Sequence, residues 1–130
     1  MVTYHEPGPK PEQIQWAVSK VFNIDNGNGT TADDVFSFPG PIQVVHVRIV
    51  YTEASDSSMV PGTFKVGTAV GGAQIVAATS QEESKSVGTY TEGTIVAGAG
   101  YIPANGILAI RHTGVATTQL GEYKVLIGYI

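Results

Sequence analysis

Several kinds of chemistry are excluded by what this 130-residue chain lacks. It has no cysteine, which excludes disulfides, thiolate nucleophiles and zinc sites with cysteine ligands. Only 14% of its residues are charged, and seven Lys and Arg against eleven Asp and Glu give a net charge of −4. Because nucleic-acid binding depends on basic patches, this balance predicts no nucleic-acid partner.

Long apolar runs and a leader sequence are also missing. Nowhere do 18 apolar residues follow one another, so no transmembrane helix is predicted. The start, MVTYHEPGPKPEQ, lacks the basic and apolar regions of a signal peptide. We therefore expect synthesis in a cytoplasm, and the acidity of the chain predicts no membrane partner.

Glycine, proline and β-branched residues are abundant instead. Sixteen glycines and seven prolines accompany many Thr and Val residues, whereas leucine is scarce. Roughly seven to nine short stretches of alternating polarity occur at intervals of about ten residues, a spacing typical of β-sandwiches. We predict an all-β fold over residues 14–130, a single antiparallel β-sandwich that is jelly-roll-like.

The alternation in the predicted strands assigns side chains to the core. In IQVVHVRIVYT, one face holds Val45, Val47, Ile49 and Tyr51, and the other holds His46 and Arg48. In QWAVSKVFNI, Trp16 and Val18 alternate in the same way as Phe22 and Ile24. The aromatic residues expected in the core are Trp16, Phe22, Phe64 and Tyr123.

Residues 1–13 differ from the rest of the chain because they contain three prolines. Proline fixes φ and lacks a backbone donor, which favours extended, polyproline-like geometry over a sheet. One interpretation is a frayed terminus, and the other is an extended N-terminal arm that lies on a neighbouring subunit or partner.

The stretch DNGNGTTADD, residues 25–34, is the strongest candidate for a metal site. A helix–loop–helix calcium loop that starts at Asp25 needs oxygen ligands at its positions 3 and 5 and a Glu at position 12. Gly27, Gly29 and Phe36 stand there instead. We interpret the stretch as a surface connection between strands, since Asn-Gly pairs favour tight turns. A less regular calcium site formed by Asp25, Asp33 and Asp34 is the alternative.

Catalytic motifs are absent from the sequence. No serine lies in a G-x-S-x-G elbow, and GTAVGGA lacks the lysine of a phosphate-binding loop. The histidines His5, His46 and His112 have no carboxylate at a metal-site spacing, and Glu82 with Glu83 is expected in a solvated turn. We predict no enzyme activity, no cofactor and no metal.

Two tyrosines lie beside predicted turns. Exposed aromatic rings stack on sugars in carbohydrate-binding modules, so Tyr90 and Tyr101 are the predicted glycan contacts of an alternative function.

The stretches FKVGTAVGGAQIVAATS and IPANGILAIRHTGVATTQLGEYKVLIGY resemble, in pattern and composition, the small β-sandwich head-decoration (cement) proteins of tailed bacteriophages. The resemblance covers residues 15–130. It implies a virion protein on the outer capsid surface, often a homotrimer, that binds the major capsid protein and stabilises the head. Extended termini hold neighbouring subunits in that family, and the resemblance implies this role for the arm residues Tyr4, His5, Pro7, Pro9, Lys10 and Pro11. The alternative is a tail, spike or other carbohydrate-binding adhesion module.

Overall fold

The computed structural model describes residues 13–24, 31–55, 62–82, 84–114 and 121–130. These ranges contain ten β-strands and no α-helix, and hence no helix long and apolar enough to cross a bilayer. The strands are β1 (Gln15–Val18), β2 (Phe22–Asn23), β3 (Thr31–Ser37), β4 (Ile42–Glu53), β5 (Thr63–Gly67), β6 (Val76–Ser80), β7 (Tyr90–Gly93), β8 (Tyr101–Ile102), β9 (Ile107–Thr113) and β10 (Glu122–Tyr129).

Two antiparallel sheets form the molecule. Sheet A has the strand order β1-β10-β4-β7, with β2 also paired to β10 and β8 paired to β4. Sheet B has the order β3-β9-β5-β6. The chain passes repeatedly from one sheet to the other, from β2 to β3, β3 to β4, β4 to β5, β6 to β7, β8 to β9 and β9 to β10. The predicted all-β sandwich is confirmed.

The core lies between the two sheets and follows the period of two that strands impose. Sheet A contributes Val47, Ile49 and Tyr51 from β4, each 0% exposed. Sheet B contributes Phe64 and Val66 from β5, also 0% exposed. Burial of each large apolar side chain contributes about 1.5–3 kcal/mol, so these facing rows hold the sheets together.

The prediction that Trp16 belongs to the core is wrong, because Trp16 is 41% exposed and Val18 is 51% exposed. Val18 pairs with Leu126, and Phe22 pairs with Tyr123. Between these two pairs the chain from β1 to β2 advances by four residues, whereas the facing part of β10 advances by three. The extra residue is a bulge, which reverses the side-chain phase. Phe22 therefore points into the core, whereas Trp16 points outward.

A second bulge corrects the predicted face of Val45. On β10, Gly128 pairs with His46 and the next residue, Tyr129, pairs with Val44. Between these two pairs β4 advances by two residues and β10 by one, so Val45 is the extra residue of the bulge. The side chain that points inward is therefore that of Val44, which is 2% exposed. Val45 is half-buried.

Strand β3 begins at Thr31, so the last four residues of DNGNGTTADD belong to a strand and are not a connection. Asp25 and the predicted arm residues Tyr4, His5, Pro7, Pro9, Lys10 and Pro11 lie outside the described residues.

Candidate functional site

The outer face of sheet A carries the most distinctive exposed side chains of the described chain. Strand pairing sets them in three rows that run across the strands. The first row is Trp16, Gly128 and His46, the second is Val18, Leu126, Arg48 and Glu92, and the third is Lys124, Val50 and Tyr90. We call these three rows the sheet A face.

Trp16 occupies the first row by reaching across β10. A Cβ atom added at Gly128 would lie 3.0 Å from Cη2 and Cζ3 of Trp16 and 3.2 Å from Cβ of His46. The missing side chain of Gly128 therefore gives the indole its space. Trp16 then stacks on His46 with ring centroids 5.8 Å apart and planes inclined by 12°.

Arg48 lies next to two aromatic rings. Its Cζ atom is 5.3 Å from the ring centroid of Trp16 and 4.9 Å from that of Tyr90. Both distances are within the range of cation–π attraction, which is about 0.5–1 kcal/mol at exposed sites. The guanidinium and the two rings therefore restrict one another's rotamers.

Glu92 adds polar contacts to this arrangement. Its Oε2 accepts a hydrogen bond of 2.7 Å from Nε of Arg48, and its Oε1 lies 3.2 Å from Nδ1 of His46. Arg48 and Glu92 stand directly opposite each other on β4 and β7. Trp16, His46, Arg48, Glu92 and Tyr90 thus form one connected cluster drawn from three strands.

This cluster has the composition of a binding surface. Trp, Tyr and Arg are the residues that most often dominate the binding energy of protein interfaces. Tyr90 is 52% exposed, and the exposed Val18 lies in the next row beside Trp16. Because the rings are already held by their neighbours, little side-chain entropy is left to lose when a partner covers them.

The two tyrosines predicted as glycan contacts are both exposed, Tyr90 by 52% and Tyr101 by 59%. They pair with different ends of β4, since Tyr90 lies opposite Val50 and Tyr101 opposite Gln43. Seven strand positions separate these partners, a distance of about 23 Å. The structure therefore brings Tyr90 together with Trp16 and Arg48, and not with Tyr101.

A second polar cluster is buried between the sheets. His112 is 0% exposed and Gln81 is 1% exposed. Nε2 of Gln81 lies 3.0 Å from the hydroxyl of Tyr123 and 3.0 Å from Nδ1 of His112, and the Tyr123 hydroxyl also contacts Nδ1 of His112. The Tyr51 hydroxyl accepts a 2.8 Å hydrogen bond from the backbone N–H of Glu82.

Burial controls the protonation of this cluster. Removal from water lowers the pKa of His112 to about 4, against a smaller opposing effect of a backbone hydrogen bond with Asn23. Burial also raises the pKa of Tyr123 far above its usual range. Both groups are neutral near pH 7 and have no solvent-exposed surface, so they act as polar parts of the core.

Two of the three carboxylates of the alternative calcium site, Asp33 and Asp34, form hydrogen bonds within the protein. Asp33 accepts two hydrogen bonds from Arg111, from Nε at 2.7 Å and from Nη2 at 2.9 Å, and this pairing lowers the pKa of Asp33. Asp34 accepts hydrogen bonds from the backbone N–H groups of Lys20 and Val35. Within the described ranges, no three His, Asp or Glu side chains lie together as a metal site.

Glu82, from the predicted solvated turn, forms an ion pair of 3.0 Å with Lys85. Its hydrogen bond with Lys85 lowers the pKa of the Glu82 carboxyl. Glu83 lies outside the described residues.

This fold also occurs in a phage capsid. The chain is similar to a chain of the cyanophage Pam1 capsid asymmetric unit, with a TM-score of 0.57 and 19% identity over 98% of this chain and 92% of that chain. At this identity the likeness is one of fold. No protein-family model and no curated protein matches the chain.

Sequence reasoning missed most of the sheet A face. The alternation in the sequence places His46 and Arg48 on one face of a strand and Tyr90 lies beside a predicted turn, but the same alternation assigns Trp16 to the core. The signal that was available is the alternation in YTEG, which sets Tyr90 and Glu92 on the same face of β7. Their proximity to Arg48 depends on the pairing of β4 with β7, more than 40 residues later in the chain.

Proposed function

We propose that this chain is a structural protein of a phage virion, a head-decoration protein that binds the major capsid protein and stabilises the shell. The observation that carries the proposal is the likeness of fold, over nearly the full length of both chains, to a chain of a cyanophage capsid asymmetric unit. The sequence resemblance to cement proteins points the same way. The function is binding rather than catalysis.

The sheet A face is the surface that we assign to the shell. It combines exposed apolar side chains with an arginine held between two aromatic rings. Trp, Tyr and Arg side chains that are already ordered contribute strongly to the binding free energy, because they lose little conformational entropy on binding. When many copies bind one symmetric shell, multivalency turns individually weak contacts into tight attachment.

The arm supplies a second contact in this proposal. The described chain starts at Gln13, which lies in an open groove together with Ile14, Gln15, Phe38, Pro39, Gly40, Pro41, Ile42, Tyr129 and Ile130. Twelve residues precede Gln13 and span at most about 40 Å when extended. We assign Tyr4, His5, Pro7, Pro9, Lys10 and Pro11 to contacts with a neighbouring subunit.

The assembly proposed is a homotrimer on the outer capsid surface, made in the host bacterial cytoplasm. A net charge of −4 disfavours adhesion to packaged DNA and to anionic membranes, in keeping with a protein partner. No cofactor is required for this role.

Binding to empty shells tests the proposal. Shells are made from the major capsid protein encoded in the same genome, mixed with the purified chain and separated by density-gradient sedimentation. We expect the wild-type chain to travel with the shells and Trp16→Ala to bind more weakly. Val35→Ala is the matched control, because Val35 is 43% exposed on the other sheet. Failure of the wild-type chain to bind would refute the decoration role.

A carbohydrate-binding adhesion module is the second candidate, and the exposure of Tyr90 and Tyr101 is the observation in its favour. For that function, Tyr90→Ala and Tyr101→Ala would each weaken glycan binding without loss of stability. The decoration role predicts a different result, namely weaker shell binding for Tyr90→Ala and unchanged binding for Tyr101→Ala.

A further inference from the structure

Arg48 has hydrogen-bonding capacity that the described residues leave unused. A guanidinium carries five N–H donors in a planar fork. Within the described part of the chain, the side-chain hydrogen bonds of Arg48 involve Nε alone, which donates to Glu92. The two Nη groups are left for another acceptor, and 31% of the side chain is exposed.

The neighbours of Arg48 hold this fork in place. Trp16 and Tyr90 lie within 5.3 Å and 4.9 Å of Cζ, and Glu92 fixes the Nε edge. A guanidinium that is fixed in this way suits a planar acceptor with two oxygens, because two parallel N–H···O bonds need a defined plane. Arg111 provides an internal example, since its Nε and Nη2 bind both oxygens of Asp33.

We propose that the Nη edge of Arg48 binds a carboxylate of the docking partner, namely an Asp or Glu side chain of a shell subunit. The identity of the partner rests on the proposed function, whereas the carboxylate chemistry rests on Arg48 itself. The side chains Val18, Leu126 and Val50 stand in the rows around Arg48. When a partner covers them, the loss of water strengthens a charge-assisted hydrogen bond at this position.

The surroundings favour a protein carboxylate over a phosphate. Phosphate-binding sites usually contain several cationic side chains. The three rows of the sheet A face contain one Arg and one Lys, Arg48 and Lys124, and Glu92 is already bound to Arg48. The apolar neighbours match the aliphatic part of an Asp or Glu side chain and the surface around it.

Shell binding of charge variants tests the inference. Arg48→Gln removes the charge, and Arg48→Lys keeps the charge but loses the fork. We expect both variants to bind shells at least about 30-fold more weakly than the wild-type chain. Lys65→Gln, the same loss of charge on sheet B, is the control and is expected to bind as the wild type does.

Side-chain NMR tests the site without any shell. The chain has two arginines, and the fork of Arg111 is occupied by Asp33, so the two Arg signals serve as probe and control. On titration with acetate we expect the Arg48 signals to shift and the Arg111 signals to stay. Equal shifts, or no shift of Arg48, would overturn the inference whether or not the shells bind.

Three further outcomes would also overturn it. Wild-type binding by Arg48→Lys would mean that a point charge is enough, and wild-type binding by Arg48→Gln would mean that Arg48 takes no part. A change of the Arg48 signals in the isolated protein on deletion of residues 2–11 would show that the arm, which contains Glu6, occupies the fork. Absence of shell binding by the wild-type chain with a positive acetate titration would instead refute only the decoration role.

Discussion

Trp16 stands over Gly128, and its six-membered ring takes the space of the side chain that Gly128 lacks. A Cβ atom at residue 128 would lie 3.0 Å from two ring carbons of Trp16, closer than nine in ten real contacts of this kind. The exposed tryptophan and the glycine on the neighbouring strand are therefore parts of one arrangement. It aligns the indole with His46 and Arg48 and makes the sheet A face a surface with a fixed shape.

Gly128→Ala should displace Trp16 from its place on the sheet A face. The added methyl group meets the indole at 3.0 Å and Cβ of His46 at 3.2 Å, so these neighbours must shift by a few tenths of an ångström, and we expect the exposed indole to do so. Trp16 is the single tryptophan of the chain, and its fluorescence therefore reports on this site alone. We expect stronger acrylamide quenching in the variant and a loss of stability of about 1 kcal/mol.

Gly40→Ala is the matched control for that experiment, because nothing lies within 4 Å of a Cβ atom at residue 40. Its fluorescence should equal that of the wild type. Unchanged quenching in Gly128→Ala would mean that the indole is not held over residue 128.

Tyr123→Phe should destabilise the fold more than Tyr129→Phe. Both substitutions delete one hydroxyl group. The hydroxyl of Tyr123 is buried with Gln81 and His112, and its loss leaves buried polar groups without a partner, at a cost of about 1–3 kcal/mol. The hydroxyl of Tyr129 donates to Gln15 at the surface, where water can replace it. Equal urea midpoints for the two variants would contradict the buried network.

Acid should weaken the fold through His112. Burial holds the folded-state pKa near 4, below the ordinary value of 6.5, so the unfolded chain takes up the proton first. The contribution of neutral His112 is complete above pH 6.5 and is lost as the pH falls from 6.5 to about 4. Over that window the free energy of unfolding should fall by about 3 kcal/mol.

Urea unfolding between pH 7 and pH 4.5 measures that loss, and His112→Gln should have a flatter pH dependence than the wild type. Asp33 and Glu82 affect the free energy of unfolding at lower pH, because folding lowers their pKa values. Their stabilising contributions are present above the ordinary carboxyl pKa values of 3.8 and 4.5 and are lost as the pH falls below them. An imidazole signal of His112 that titrates near 6.5 in the folded protein would show that burial does not have this effect.

Deletion of residues 2–11 should weaken attachment to shells and leave the sandwich folded. The described sheets include no residue before Gln15, so the thermal midpoint should change little. Sedimentation equilibrium of both proteins measures their masses and tests the proposed homotrimer. Normal shell attachment by the shortened chain would remove the arm from the proposal.

The architecture was readable from the sequence because strand alternation and turn residues act locally. The alternation in IQVVHVRIVYT predicts the strand that is β4, and Phe22, Phe64 and Tyr123 lie in the core as predicted. The errors at Trp16 and Val45 have one cause, a bulge that reverses the side-chain phase. A bulge depends on how a strand pairs with its neighbour, which alternation within one strand does not contain.

The sheet A face was less accessible to prediction for the same reason. Trp16, Arg48 and Tyr90 come from β1, β4 and β7, and only the pairing order β1-β10-β4-β7 brings them together. Gly128 looks like any strand glycine in the sequence. Its role becomes visible once Trp16 is seen beside it.

Cryo-electron microscopy of shells saturated with the wild-type chain shows directly whether the chain binds and which face of the sandwich contacts the shell. We predict the sandwich on the outer surface, with the sheet A face toward the shell and Trp16, Arg48 and Tyr90 in the contact. A reconstruction in which the sheet A face points to solvent, or in which no density for the chain appears on the shell, would contradict this prediction.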